Sequence, residues 1–214
     1  MSDPIPPEMY QLRMRLCAIS PLIWRRLLVR SDTPLVALHA VILAAFGWLE
    51  AAAHCFIIHG TTFGSATGPA STEPADPHPV PLATFHLRPN ERFTYVYGGV
   101  DRWHHEIRLE QVLAHDPQRH YPLCIGGARA TPLDGCGGPA SFLALRDHFS
   151  LRYVAACLLA RYPADDQPAW HVERLLLQYW AGVDRFDRRA ANRRLAPQIA
   201  TAPATPAQGR EVRP

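Results

Sequence analysis

The sequence predicts an α+β domain: an antiparallel sheet of about five strands with helices packed on it, and a C-terminal half that is mostly helical. Three observations carry this. Segments between Tyr10 and Glu110 alternate apolar and polar residues with the period of two that half-buried strands show. Beyond Phe142 the apolar residues recur at helical spacing. Of the 214 residues, 48% are hydrophobic and 19% charged, which is enough apolar material for a core of ordinary size.

Tyr10, Leu12, Met14 and Leu16 share one face of the first strand, with Gln11, Arg13 and Arg15 on the other. Pro21 interrupts the run, and Trp24 to Val29 reads as a second strand. Asp32-Thr33-Pro34 has the form of an N-cap followed by proline at the first helical position. Leu35, Leu38, Ile42, Ala45 and Phe46 then keep helical spacing up to Gly47, a residue suited to a helix stop. Cys55 to His59 reads as a short strand. Residues 60–81 are rich in Gly, Pro, Ser, Thr and Ala without periodicity, which predicts a mobile surface loop.

Arg92 to Tyr97 places Phe93, Tyr95 and Tyr97 on one face, and Gly98-Gly99 predicts a turn. In the strand that follows, Trp103, His105, Ile107 and Leu109 point one way, and His104, Glu106, Arg108 and Glu110 the other. The Gly- and Pro-rich stretch Tyr121 to Gly138 reads as irregular. Helices are expected over Phe142–Phe149, Leu151–Arg161, Val172–Trp180 and Arg188–Leu195. Residues 1–9 form an N-terminal arm, residues 10–196 the domain, and the Ala/Pro/Thr-rich residues 197–214 a disordered tail.

Composition removes several classes of function. All 22 basic residues are Arg, so a P-loop lysine and Schiff-base chemistry are excluded. A net charge of +3 permits a nucleic-acid partner without indicating one. The cysteines are Cys17, Cys55, Cys124, Cys136 and Cys157; their odd number and the absence of an export signal argue against a disulfide framework. No stretch approaches the roughly 18 apolar residues of a membrane span, so the expected compartment is the cytoplasm.

The densest polar patch is Asp101-Arg102-Trp103-His104-His105-Glu106, followed by Glu110. His105 faces the core or a cleft. A core histidine satisfied by a carbonyl or carboxylate is the preferred reading, and a ligand or general base is the alternative. Cys124 and Cys136 sit in a flexible loop where two thiolates would converge on a metal with His54 and His105. The spacing matches no standard knuckle, so zinc is admitted as a cofactor but not favoured, and small buried cysteines are preferred. Asp134 reads as turn chemistry or as a ligand contact. Arg185, Arg188, Arg189, Arg193 and Arg194 form a basic cluster read as a solvated helix face, with phosphate contact as the alternative.

These segments together resemble the plasmid pRiA4b ORF-3-like family. The resemblance rests on Tyr10-x-Leu-x-Met-x-Leu, Pro21-Leu-Ile-Trp-Arg-Arg, Leu38-His39, Phe46-Gly47-Trp48, His54-Cys-Phe and Phe93-Thr-Tyr-x-Tyr. It continues through Asp101-x-Trp103-x-His105-x-Ile107-x-Leu109-Glu110, Tyr121-Pro-x-Cys124-x-Gly-Gly, Cys136-Gly-Gly, Asp184-Arg-Phe186-Asp187 and Asn192-Arg-Arg-Leu195. It departs at Gly98, where the family has an acidic residue, at Ala52, where it has a second histidine, and at Thr131-Pro-Leu-Asp134-Gly-Cys136, where it has one more cysteine and one more acid. What the resemblance implies is an accessory protein of plasmids and mobile elements, some members carrying a resolvase label. Here Ser20 is followed by proline and no recognition helix is evident, so the residues give that label no support.

The reading that follows is a non-enzymatic binding or accessory module with a polar cleft around His105 and the Cys124–Cys136 loop. Trp103, His105, His54 and Asp134 are its ligand-binding candidates, and its partner is an unidentified small ligand or protein. The first alternative is a metal-dependent or hydrolytic enzyme using His105 with Glu110 or Asp101. The second is an accessory role in DNA transactions.

Overall fold

The computed structural model describes residues 7–48, 52–65, 80–98, 101–150, 153 and 168–199. Seven strands form one antiparallel sheet: β1 (Met9–Leu16), β2 (Trp24–Arg30), β3 (His54–Ile58), β4 (Thr61–Ser65), β5 (Arg92–Tyr97), β6 (Trp103–Leu113) and β7 (Leu123–Ala128). Their order across the sheet is β4-β3-β5-β6-β1-β2-β7. Four α-helices are described, α1 (Leu35–Phe46), α2 (Gly138–His148), α3 (Pro168–Ala181) and α4 (Arg188–Ile199).

Alternation decides the inner face. Leu12, Met14 and Leu16 of β1, Ile107 and Leu109 of β6, and Phe93, Tyr95 and Tyr97 of β5 are buried, as their spacing requires. Against them pack Leu38, Ile42, Ala45 and Phe46 of α1, Phe142 of α2, Leu177 and Trp180 of α3, and Ala191 and Leu195 of α4, in one continuous core. The outer face carries Gln11, Arg13, Arg15, Arg26, Glu106, Arg108 and Glu110, all partly exposed. At one end of that face, Met9, Leu28 and Tyr121 form a small separate cluster.

Several expectations are corrected. The sheet has seven strands, not five, because segments read as loops become its two edges. Thr61–Ser65, inside the expected mobile loop, pairs with β3, and Leu123–Ala128, inside the expected irregular stretch, pairs with β2. An edge strand needs a partner on one side only, so neither segment requires the apolar alternation of an inner strand. Strands thus run on past residue 107, and the C-terminal half is helical only from Gly138. The first strand begins at Met9, which shortens the N-terminal arm, and α4 extends to Ile199 with Pro197 inside it. Pro34 is itself the N-cap of α1, without a side-chain cap bond, because Asp32 is paired with Arg30. The helix expected at Leu151–Arg161, most of the expected 60–81 loop and the tail beyond Ile199 lie outside the described residues.

The Cys136-Gly137-Gly138 stretch has a backbone explanation. Gly138 opens α2 at φ +83°, and a Cβ there would stand 2.6 Å from the Asp101 carbonyl oxygen. Left-handed geometry and a backbone contact both exclude a side chain. Gly138→Ala is expected to destabilise the protein by about 2 kcal/mol or more, read as a lower midpoint at unchanged slope in urea unfolding. A midpoint within error of the parent would show that the Asp101 turn yields freely.

Candidate functional site

The candidate site grows from the phase of β2. Arg25 shares parity with Leu27 and Val29, so the strand turns its guanidinium inward, where the residue is 2% exposed. A buried ion must find partners or lose its charge. Arg25 donates through Nη1 to the carbonyls of Trp24 (2.8 Å) and Ala128 (3.0 Å), through Nη2 to the Thr131 hydroxyl (2.9 Å), and through Nε to the Ala45 carbonyl (3.4 Å). Its planar group lies 4.2 Å from the ring centroid of Phe186 and 5.0 Å from that of Phe46. Among the described residues no carboxylate pairs with it. Burial lowers its pKa to about 10, which leaves it charged at neutral pH.

Arg194 of α4 approaches from the other side and donates to the carbonyls of Ala44 (2.8 Å) and Ala45 (3.5 Å). Both guanidinium groups therefore meet the last carbonyls of α1, where the helix dipole is negative. Gly47 permits this approach: it takes φ +85° as the C-cap, and a Cβ there would sit 3.2 Å from the Arg194 guanidinium carbon.

Over Arg25 opens a cleft of about 310 Å³. One wall is the end of α1 with Phe46, Gly47 and Trp48; a second is Ala130 to Asp134; the third is Arg185, Phe186 and Asp187 with the first turns of α4. The second wall is pinned in place. Trp48 Nε1 donates to the Pro132 carbonyl (2.9 Å), the Tyr179 hydroxyl to the Thr131 carbonyl (2.9 Å), and the Tyr97 hydroxyl to Asp134 Oδ2 (3.2 Å). Asp187 is committed to α4, accepting from the Ala190 amide (2.9 Å). The cleft thus combines fixed aromatic walls with guanidinium groups whose partners at this site are mostly neutral oxygens.

His105 lies behind this wall, not in the opening. It is 0% exposed and sits among Phe46, Trp48 and Tyr95, at ring-centroid distances of 5.0, 5.4 and 5.2 Å. Its Nδ1–H donates to the Trp103 carbonyl (3.2 Å), and among the described residues Nε2 has no partner. Burial first, opposed by hydrogen bonds to backbone, lowers its pKa to about 3. Trp103 is equally buried.

The remaining candidates scatter. Glu110 is on the opposite face of β6, held by Arg26 and Gln11, and so has no route to His105. Asp101 accepts from the Gly137 amide (3.3 Å). Cys124 is buried on β7, where its backbone is clasped by Asn192, and its thiol donates to the Gly126 carbonyl. Burial pushes the thiols of Cys124 and Cys136 up. Among the described residues no three His, Cys, Asp or Glu side chains are placed to share a metal ion. Of the expected ligand contacts, Asp134 alone lines the cleft.

His54 meets a partner the sequence reading passed over. Its ring stacks on His39 of α1 at 3.5 Å and 3° between planes, and the Tyr95 hydroxyl is hydrogen-bonded to His39 Nδ1 (2.7 Å). Burial first, then the neighbouring His54, lowers the His39 pKa to about 4; burial also lowers that of His54. Two signals were present in the sequence. Arg25 is in phase with the buried residues of its strand, and His39 follows Leu35 by one helical turn.

Comparisons with known proteins show the family and the fold. The family model described as plasmid pRiA4b ORF-3-like protein matches residues 8–156. The chain is 25% identical over 183 residues to uncharacterized protein y4hQ of Sinorhizobium fredii (strain NBRC 101917 / NGR234), covering 85% of each. Its fold is similar to the crystal structure of MM3350, a protein of unknown function from Methanosarcina mazei Go1. That likeness has a TM-score of 0.62 and 22% identity over 87% of this chain and 97% of the other.

The histidines make the fold acid-sensitive. His39 ionises near 4 and His105 near 3, against an ordinary 6.5, so the unfolded chain binds more protons below 6.5. Their contribution to stability is complete above that pH and is lost as the pH drops from about 6.5 towards about 4 for His39 and about 3 for His105. His39→Gln should flatten this slope in denaturant unfolding followed against pH. An unchanged slope would mean that His39 is solvated.

Proposed function

We propose, for a chain that belongs to the plasmid pRiA4b ORF-3-like family, that it works as a binding module whose cleft over Arg25 holds a small organic anion. One observation carries this reading: the base of the cleft is a buried guanidinium whose hydrogen bonds go to neutral oxygens, so no carboxylate among the described residues matches its charge. A carboxylate or phosphate group entering there would complete a charge-assisted pair, the strongest kind of hydrogen bond available. Arg194 and the exposed Arg185 extend the same potential to the mouth, and Phe46, Trp48, Pro132 and Leu133 give an apolar body a surface to lie on.

The reading as a module rather than an enzyme rests on His105. A general base must reach the proton it abstracts. His105 is sealed behind Phe46 and Trp48, and burial keeps it uncharged at neutral pH. The cleft's charged groups are guanidinium donors and two committed carboxylates, which suits holding charge. In the same reading the protein serves as an accessory factor of plasmid or other mobile DNA, in keeping with the family description, and works in the cytoplasm, where the free thiols of Cys17, Cys55, Cys124 and Cys136 persist.

Titration with a panel of inorganic phosphate, citrate and a nucleoside monophosphate, read by thermal shift and calorimetry, tests the proposal. Saturable stabilisation is expected from at least one of them, weakened about tenfold by Arg194→Gln and by Arg185→Gln, with the bound molecule recovered unchanged. No stabilisation by any of the three, or stabilisation indifferent to both substitutions, contradicts it. Recovery of a chemically altered ligand would favour an enzyme.

A further inference from the structure

The outer face of the sheet carries an arrangement that folding alone does not call for. The register pairs Arg92 with Arg108, Arg108 with Arg13, and Arg13 with Arg26. Four arginines therefore stand directly opposite one another across four adjacent strands, β5, β6, β1 and β2. At an interstrand spacing of about 4.8 Å, the row spans roughly 14 Å. Like charges set directly across a sheet repel and destabilise it.

The chain only partly neutralises this row. Glu106 accepts a bidentate pair from Arg15 and a longer contact from Arg92 (3.5 Å), and Glu110 accepts from Arg26 and, at 3.8 Å, from Arg108. Two carboxylates thus stand against five arginines and contact four of them. Arg13, at the centre of the row, has no carboxylate partner among the described residues, and the Nε atoms of Arg13 and Arg108 are buried there without a hydrogen bond. At the β2 end, half-exposed Trp24 lies over Gly126, with the guanidinium groups of Arg13 and Arg26 at 5.0 and 5.3 Å from its ring. The described helices pack on the opposite face.

We propose that this face binds single-stranded nucleic acid, with the arginine row following successive phosphates and Trp24 offering a surface for a base. A row of arginines in register across four strands matches a linear polyanion. An aromatic ring beside an electropositive track is how sequence-tolerant binders hold single strands. The described helices lie on the other side of the sheet, so this face presents none to a duplex groove. The site is independent of the cleft, which opens on the other side of β2.

Anisotropy of a labelled oligothymidylate at salt from about 50 to about 200 mM tests this with the full chain. Binding is expected to weaken with a log–log slope of about −2, as three surplus charges on a single strand require. Arg13→Gln and Arg108→Gln should each weaken it severalfold and make the slope shallower by about 0.7. Trp24→Leu should weaken it at unchanged slope, and Arg193→Gln on α4 should leave it as it is. If Arg13→Gln fails to fold, Arg92→Gln, at the exposed end of the row, replaces it. Absence of salt-dependent binding, equal or tighter binding of a duplex, equal affinity for polyglutamate, or affinity indifferent to the row substitutions would each overturn the proposal.

Discussion

A single buried charge organises one side of this molecule. Moving a guanidinium out of water costs several kcal/mol, and no carboxylate among the described residues offsets that cost at Arg25. The offset comes from backbone carbonyls on β2, β7 and the end of α1, a hydroxyl at Thr131, and the faces of Phe46 and Phe186. The partners come from β2, β7, α1, the Thr131 segment and the Phe186 turn, so satisfying one ion fixes their relative positions. The cleft is the space those elements leave over it. Stretches that carry the family resemblance, around Trp24-Arg25, Phe46-Gly47-Trp48, Phe186-Asp187 and Arg194, meet at this point with Thr131 to Asp134, where the chain departs from the family.

The sheet separates two chemistries by strand parity alone. On β6, Trp103, His105, Ile107 and Leu109 go inward and join aromatic rings and neutral imidazoles, while Glu106, Arg108 and Glu110 go outward into the arginine network. A one-residue shift in register would exchange the two sets, burying the charges and exposing the rings. Fixing that register is therefore a condition of both faces. The Glu106–Arg15 and Glu110–Arg26 pairs reinforce it from outside, and the close packing of His105 with Phe46 and Trp48 does so from inside.

How much of this was legible follows from the same parity. β1, β5 and β6 are inner strands with one buried face, and their alternation reads directly from the sequence. β4 and β7 are edges: Gly64, Gly126 and Gly127 break any pattern, and Trp24 and Phe186 cover the last two from elsewhere in the chain. Nothing local announces such cover. The inward side of His105 was also legible, with a carbonyl or carboxylate expected as its partner; the Trp103 carbonyl takes that place. Its sealing by Trp48 was not, since that contact joins residues far apart in sequence. Cys124 and Cys136 drew attention as thiols, yet one holds a β7 carbonyl and the other sits beside the Gly-Gly turn. Arg25 was in plain view as a charge in an apolar phase, which is a stronger sign of a functional site than a cluster of charges on a polar face.

The claim that the Arg25 guanidinium, rather than the bulk of its side chain, holds β2, β7, α1 and the Thr131 segment together is tested most directly by the unfolding free energies of Arg25→Met and Arg25→Lys. Methionine keeps the apolar volume but takes the guanidinium donors away from four acceptors, and lysine keeps the charge but not the planar fork. Both should lose at least about 3 kcal/mol relative to the parent. A methionine variant as stable as the parent would contradict the account, since the elements around the cleft would then be held by packing alone.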